Sequence, residues 1–84
     1  MVSWDIYTES FWSGSYEWQN SGNVQEDIHC FDRVDPYLVK DNDLCNIELH
    51  IRHDDEFTVL RYSREEFGAE WSIEMCGGCE DAHA

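Results

Sequence analysis

Between Cys45 and Arg52 apolar and polar residues alternate without a break: Cys45, Ile47, Leu49 and Ile51 share one parity, Asn46, Glu48, His50 and Arg52 the other. A helix would scatter these around its axis, whereas an extended chain sends them to opposite sides. The pattern therefore demands a half-buried β-strand. His53-Asp54-Asp55-Glu56 interrupts it, and Phe57–Tyr62 (FTVLRY) resumes with β-branched and aromatic residues that suit a pleated surface. A hairpin with an acidic tip follows. Ser63-Arg64-Glu65-Glu66 then sets a hydroxyl three residues ahead of a glutamate, the reciprocal capping arrangement that opens helices, and this predicts a helix from Ser63 to Trp71.

The rest of the chain is arranged around this hairpin. Val2, Trp4 and Ile6 alternate with Ser3, Asp5 and Tyr7, and Tyr16 with Trp18 resumes alternation after Ser13-Gly14-Ser15, so residues 2–19 read as a first hairpin with Gly14 supplying a positive φ. Asn20-Ser21-Gly22-Asn23 reads as a break, with Asn23 capping a helix whose apolar face is Val24, Ile28, Phe31 and Val34. Asp35-Pro36 should end that helix, because a residue before proline is pushed out of the helical region. Tyr37, Leu38 and Val39 extend its apolar contact, and Lys40–Leu44 forms a polar turn. Beyond Trp71 the pattern forks: Phe67, Trp71 and Met75 continue a helical face, while Trp71, Ile73 and Met75 also fit a strand. Gly68 weakens the helix by about 1 kcal/mol relative to alanine, which favours a helix ending near Trp71. The expected fold is α+β: a small antiparallel sheet from two hairpins, in the order ββαββα, with two short helices packed on one face. Residues 1–79 form one domain, closed by Cys76-Gly77-Gly78-Cys79, and residues 80–84 a flexible tail.

Charge decides which partners are admissible. Nineteen acidic residues stand against Arg33, Lys40, Arg52, Arg61 and Arg64, a formal net charge of -14 that is spread along the whole chain of 84 residues. Such self-repulsion often signals disorder, but 42% hydrophobic and 14% aromatic residues exceed what a disordered chain carries. Bare nucleic acid and anionic membranes would repel this chain, since phosphate binding requires concentrated Lys and Arg. A basic protein is the natural partner. No apolar run is long enough to span a bilayer, and MVSWDIYTES lacks the basic start and apolar centre of a signal peptide, so the expected location is the cytoplasm, that of the host cell if a phage encodes the chain.

The four cysteines, Cys30, Cys45, Cys76 and Cys79, match the number a tetrahedral zinc site needs, and the last two have C-x-x-C spacing. The second close pair of such a signature is missing, and Cys45 falls on the apolar face of its strand, where a free cysteine behaves as a small hydrophobe. His29 or His83 could complete a mixed site. Three states stay open: zinc bound, disulfide bonded, or reduced and unligated. A thioredoxin-like role for Cys76 and Cys79 requires a helix N-terminus to stabilise the thiolate, whereas Glu70, Glu74 and Glu80 would raise the thiol pKa. His50 and His53 beside Asp54 and Asp55 suggest a metal or acid–base pair, but an acidic hairpin tip is more simply a solvated turn. Asp41, Asp43 and Glu48 lack the spacing and central glycine of a calcium loop. No nucleophile elbow, H-E-x-x-H, P-loop or dinucleotide motif occurs, and no carboxylate pair stands out as a general acid or base. The chain is read as a binding protein and not an enzyme.

What remains is the acidic surface. Held at fixed spacing by folding, carboxylates present to a basic groove much what a phosphate backbone presents. The expected partner-binding residues are Glu26, Asp27, Asp32, Asp35, Asp54, Asp55, Glu56, Glu65 and Glu66, with Trp12 and Trp18 as aromatic anchors. The function this predicts is an acidic inhibitor that mimics nucleic acid and blocks the DNA- or RNA-binding site of a basic enzyme. Two alternatives accompany it: a zinc-braced interaction domain of a salt-adapted organism, where acidic surfaces with few lysines are general, and a partner of a transcriptional regulator.

Two resemblances bear on these readings. Arg52–Trp71, with Leu60-Arg61-Tyr62-Ser63 leading into Glu66-Phe67, resembles the strand-to-helix end of small actinobacterial BldB-like proteins, which implies partnership with helix-turn-helix regulators. In size and composition the chain is similar to phage-encoded anti-CRISPR and anti-restriction DNA mimics, a likeness of class without a shared motif.

Overall fold

A computed structural model describes residues 1–77. Five strands, β1 (Val2–Ser10), β2 (Glu17–Val24), β3 (Leu44–His53), β4 (Glu56–Ser63) and β5 (Ser72–Gly77), form one sheet in the order β2-β1-β3-β4-β5, every neighbouring pair antiparallel. Among the described residues the helical content is a single ten-residue stretch between β2 and β3: one α-turn, α1 (Ile28–Phe31), continuing as a 3-10 segment (Asp32–Tyr37).

The central hairpin forms where alternation demands it. Leu49 lies opposite Leu60 and Ile47 opposite Tyr62, while Trp4, Ile6 and Thr8 of β1 face Ile51, Leu49 and Ile47. These side chains, with Val2, share one sheet face and are buried. Cys30 and Val34 of the helical stretch close over this layer, each without exposed surface. Trp4 fits because Gly22 lies across from it on β2: a Cβ at Gly22 would approach the indole to 2.8 Å. At the hairpin tip Asp54 takes φ 58°, a left-handed conformation that Asp tolerates better than most residues.

The order ββαββα is not what forms. Asn20–Asn23, expected to break the chain and cap a helix, lies within β2 and pairs with β1, so the helical stretch starts later, at Ile28. It passes through Pro36 because the 3-10 form tolerates the missing donor, Leu38 N–H bonding to Asp35 O at 3.1 Å. Gly14 takes no positive φ; the turn is held by the Ser13 hydroxyl, which donates to Ser15 O at 2.9 Å.

The second expected helix, Ser63–Trp71, is replaced by a loop and β5. Arg64, within the stretch expected to open the helix, turns inward to 6% exposure. Its Nε donates to Leu44 O (2.8 Å), one terminal nitrogen to Lys40 O (3.3 Å) and Ala69 O (3.5 Å), and the other to Asn42 O and Asn42 Oδ1 (both 2.8 Å). The guanidinium also lies 4.3 Å from the Trp71 ring centre, and the Trp71 indole N–H donates to Leu38 O at 3.0 Å. Gly68 turns the loop at φ 81°. Five directed bonds to one cation outweigh a capping preference of about 1 kcal/mol. The strand-to-helix end on which the BldB-like resemblance rests is therefore absent. Residues 78–84, including Cys79 and the expected tail, lie outside the described residues.

Two stability predictions follow from the packing. Arg64→Lys keeps the charge but cannot reach five acceptors, and should cost about 2 kcal/mol in urea denaturation; a loss under about 0.5 kcal/mol, the scatter of surface substitutions, would show that the loop does not need the fork. Gly22→Ala forces the Trp4 indole off its site and should cost about 1–3 kcal/mol in the same assay.

Candidate interaction surface

The helical stretch covers one face of the sheet and leaves the other open. On the open face the register fixed by the two-residue turn at Asp54-Asp55 sets Glu48 opposite Arg61, with Tyr7 on the far side of Glu48 and Glu74 beyond Arg61. Glu48 accepts from Arg61 Nε at 3.1 Å and lies 2.8 Å from His50 Nε2. The His50 ring sits 4.7 Å from that of Tyr7 and 5.5 Å from that of Phe57. The bond to His50, followed by the Arg61 guanidinium, holds the Glu48 carboxyl below the usual carboxylate range against the opposing effect of burial. Tyr16, partly exposed beside this pair, has its phenol pushed up to about 12, by burial first and then by the Glu48 charge. This cluster was not expected from sequence; the signal for it was present, since a two-residue loop at Asp54-Asp55 obliges residues 48 and 61 to meet.

The expected partner-binding residues divide between the two ends of the sheet. Asp54, Asp55 and Glu56 lie at the tip joining β3 to β4, and Glu26 and Asp27 in the link before α1. His53 ties these together, its Nδ1 3.0 Å from Asp27 Oδ1 and its Nε2 3.6 Å from Asp54 Oδ2. Glu65 and Glu66 follow the opposite end of β4, a full strand of roughly 25 Å away, and Trp12 sits in the turn at that end. Asp32 and Asp35 lie on the 3-10 segment. A single anionic face is therefore not what these acids form: two acidic ends flank an elongated body whose extents are 36 × 26 × 19 Å. Trp12 and Trp18 are 77% and 57% exposed, and Trp18, opposite Tyr7, belongs to the open face. Beside the β1–β2 turn lies a polar recess of about 240 Å³ between Thr8, Ser10, Glu17, Gln19 and Asp43, with no cation in its lining.

The expected four-sulfur metal set is only partly described. Cys30 is buried on the core side of the helical stretch and Cys45 is the second residue of β3, both as free thiols. Their charged neighbours differ, Asp27 and Arg33 for Cys30 and Glu9 and Arg64 for Cys45. Burial pushes both thiols up, so both are protonated at neutral pH. Cys79 and the Cys76 side chain lie outside the described residues. Among the described residues no group of three or more His, Cys, Asp or Glu side chains is placed to hold a metal ion, and no helix is long and apolar enough to cross a membrane. His50 and His53, considered with Asp54 and Asp55 as one site, instead serve different partners on β3: Glu48 for the first, Asp27 and Asp54 for the second.

Because the folded Glu48 titrates below the unfolded carboxyl, its contribution is fully present above the unfolded pKa and is lost as pH falls through the folded one. The stability difference between the parent chain and Glu48→Gln should therefore shrink as pH falls below about 4.5, read by denaturation at each pH. A difference that grew below about pH 4.5 would contradict the assignment. The subtraction matters, because protonating the unpaired acids relieves self-repulsion with the opposite sign.

No protein-family model matches this chain, and neither a curated protein nor a solved structure matches it.

Proposed function

We propose that this domain is a binding protein that acts as an anionic ligand for a basic protein, occupying the cleft in which that protein holds nucleic acid. The observation that carries the reading is how the fold spends its cations. Arg64 is consumed by backbone carbonyls, Arg61 by Glu48, and Lys40 by Glu70 at 2.7 Å. Arg33 and Arg52 lie over the rings of Trp4 and Phe57, at 5.9 and 5.0 Å. Nineteen acids against these five cations leave a formal net charge of -14, so the long-range field of the molecule is anionic.

Shape supports the same reading. The 36 Å length is close to one turn of duplex, about 34 Å, and both acidic ends lie along the strand direction. A groove that tracks phosphates would meet negative charge at both ends of such a body. The recess beside Glu17 and Asp43 gives a lysine or arginine of the partner a seat, and the exposed indoles of Trp12 and Trp18 supply apolar contact.

The spread of acids over both ends and the helical stretch also favours a second reading, an interaction domain adapted to high salt, in which the charge serves solubility and selects no partner. Competition separates the two. With a purified nucleic-acid enzyme of the same cell as target, binding should be displaced by duplex DNA or RNA and should weaken about tenfold or more between about 0.1 and 0.5 M salt. Binding that survives both removes the mimicry, and a chain that folds only at high salt and binds no such enzyme supports the second reading.

A further inference from the structure

The buried side of β1 ends in a polar side chain. Val2, Trp4, Ile6 and Thr8 are all buried, and Thr8, 3% exposed, lines the recess beside the β1–β2 turn. The ladder is irregular next to it. Ile6 pairs with Asn20 and Tyr7 with Trp18, which leaves Gln19 as an extra residue on β2, the kind of bulge that re-aims a side chain. Gln19 Nε2 donates to Thr8 Oγ1 at 3.0 Å, so the amide is anchored through its nitrogen and its Oε1 stays an acceptor.

Two carboxylates complete the lining. Glu17, opposite Thr8 on β2, and Asp43, in the loop before β3, have side chains with no hydrogen-bond or ion-pair partner among the described residues. Glu48, Glu70 and Glu9 differ from them, since their carboxylates accept from Arg61, Lys40 and Asn46. Leu44 adds an apolar surface, and the volume of about 240 Å³ has room for an alkyl chain as well as its head group. All of this lies at the end of the sheet opposite Gly77 and three strand spacings across from it.

We propose that this recess binds a primary alkylammonium group, the chemistry shared by a free linear polyamine and a lysine side chain. An ammonium carries three proton donors and no acceptor, and the recess offers three unspent acceptors: Glu17, Asp43 and Gln19 Oε1. A guanidinium is planar and gains most by stacking on a ring or gripping one carboxylate with two parallel bonds. Arg33, Arg52 and Arg64 of this chain all lie against rings, whereas no ring is among the described residues that line the recess. The site therefore favours ammonium over guanidinium, with the methylenes of the ligand packed on Leu44. Only the lysine source rests on the basic-partner reading; the polyamine source stands without it.

Titration of the full chain at low salt, followed by amide chemical shifts in NMR, tests this. Spermidine should move the amides of Thr8, Ser10, Glu17, Gln19 and Asp43 along one saturable curve. Butylguanidinium should bind there about tenfold more weakly than butylammonium, the loss of about one charged hydrogen bond. Glu17→Gln with Asp43→Asn should weaken spermidine about tenfold or more, while Asp5→Asn with Glu74→Gln, the same change of net charge on the open face, should alter it about twofold at most. Saturation by spermidine alone assigns the recess to free polyamines, and saturation by N-acetyl-lysine methylamide as well opens it to the lysine of a partner. Shifts of equal size at residues 54–56, an equal loss from both pairs of substitutions, or butylguanidinium binding as well as butylammonium would each overturn the inference. The shift map on the parent chain needs no variant to fold, and none of these outcomes touches the DNA competition by which the basic-partner reading is judged.

Discussion

A single buried cation organises one end of this molecule. Arg64 leaves β4, turns into the protein and gathers carbonyls from the loop before β3 and the loop before β5. Phe11 of the β1–β2 turn, 5.9 Å from the guanidinium, is itself joined to the same loop by its N–H bond to Asp43 O at 3.0 Å. Three irregular segments thereby share one centre. Lysine could not do this, since only the planar fork presents donors in several fixed directions. Burying a charge without a carboxylate partner is normally expensive. Here oriented carbonyl dipoles, two aromatic faces and the surrounding negative field of the chain offset that cost.

That centre also determines what the surface can be. With the loop before β5 pinned, the chain re-enters the sheet as a fifth strand and extends the open face to Glu74. Alternation along β3 and β4 then sets Ile47, Leu49, Ile51, Leu60 and Tyr62 on the core face and Glu48, His50, Phe57, Val59 and Arg61 on the other. The open face holds its own ion pair and aromatic contacts, while the surplus acids collect at the strand ends and on the helical stretch.

Much of the sheet was legible because its residues announce themselves locally. Cys45–Arg52 could be placed from parity, which its burial follows, and Phe57–Tyr62 from its β-branched and aromatic residues, although Val59 and Leu60 are buried on both faces. The helices were less legible for a physical reason. Asn20–Asn23 carries the composition of a turn, yet Gly22 is in β2 because the Trp4 indole needs the space a side chain would fill. Ser63–Glu66 carries a capping pattern worth about 1 kcal/mol, and longer-range bonds to Arg64 exceed it. Of the candidate site, the acids and exposed tryptophans could be named from sequence. That Asp54–Glu56 and Glu65–Glu66 stand at opposite ends follows from the one strand between them, but that Glu26 and Asp27 join the former does not, because it depends on Asn20–Asn23 being strand.

By itself, then, the sequence determined the antiparallel central hairpin, the apolar face it buries and the overwhelming negative charge, since each is a property of residue type and near-neighbour spacing. Only the tertiary structure decided that five strands form, that Arg64 is buried, and where the acids stand relative to one another. Those outcomes rest on contacts between residues twenty or more positions apart, such as Arg64 with Leu44 and Asn42 with Arg64. No local pattern records the energy of a bond whose two halves meet only after the chain has folded.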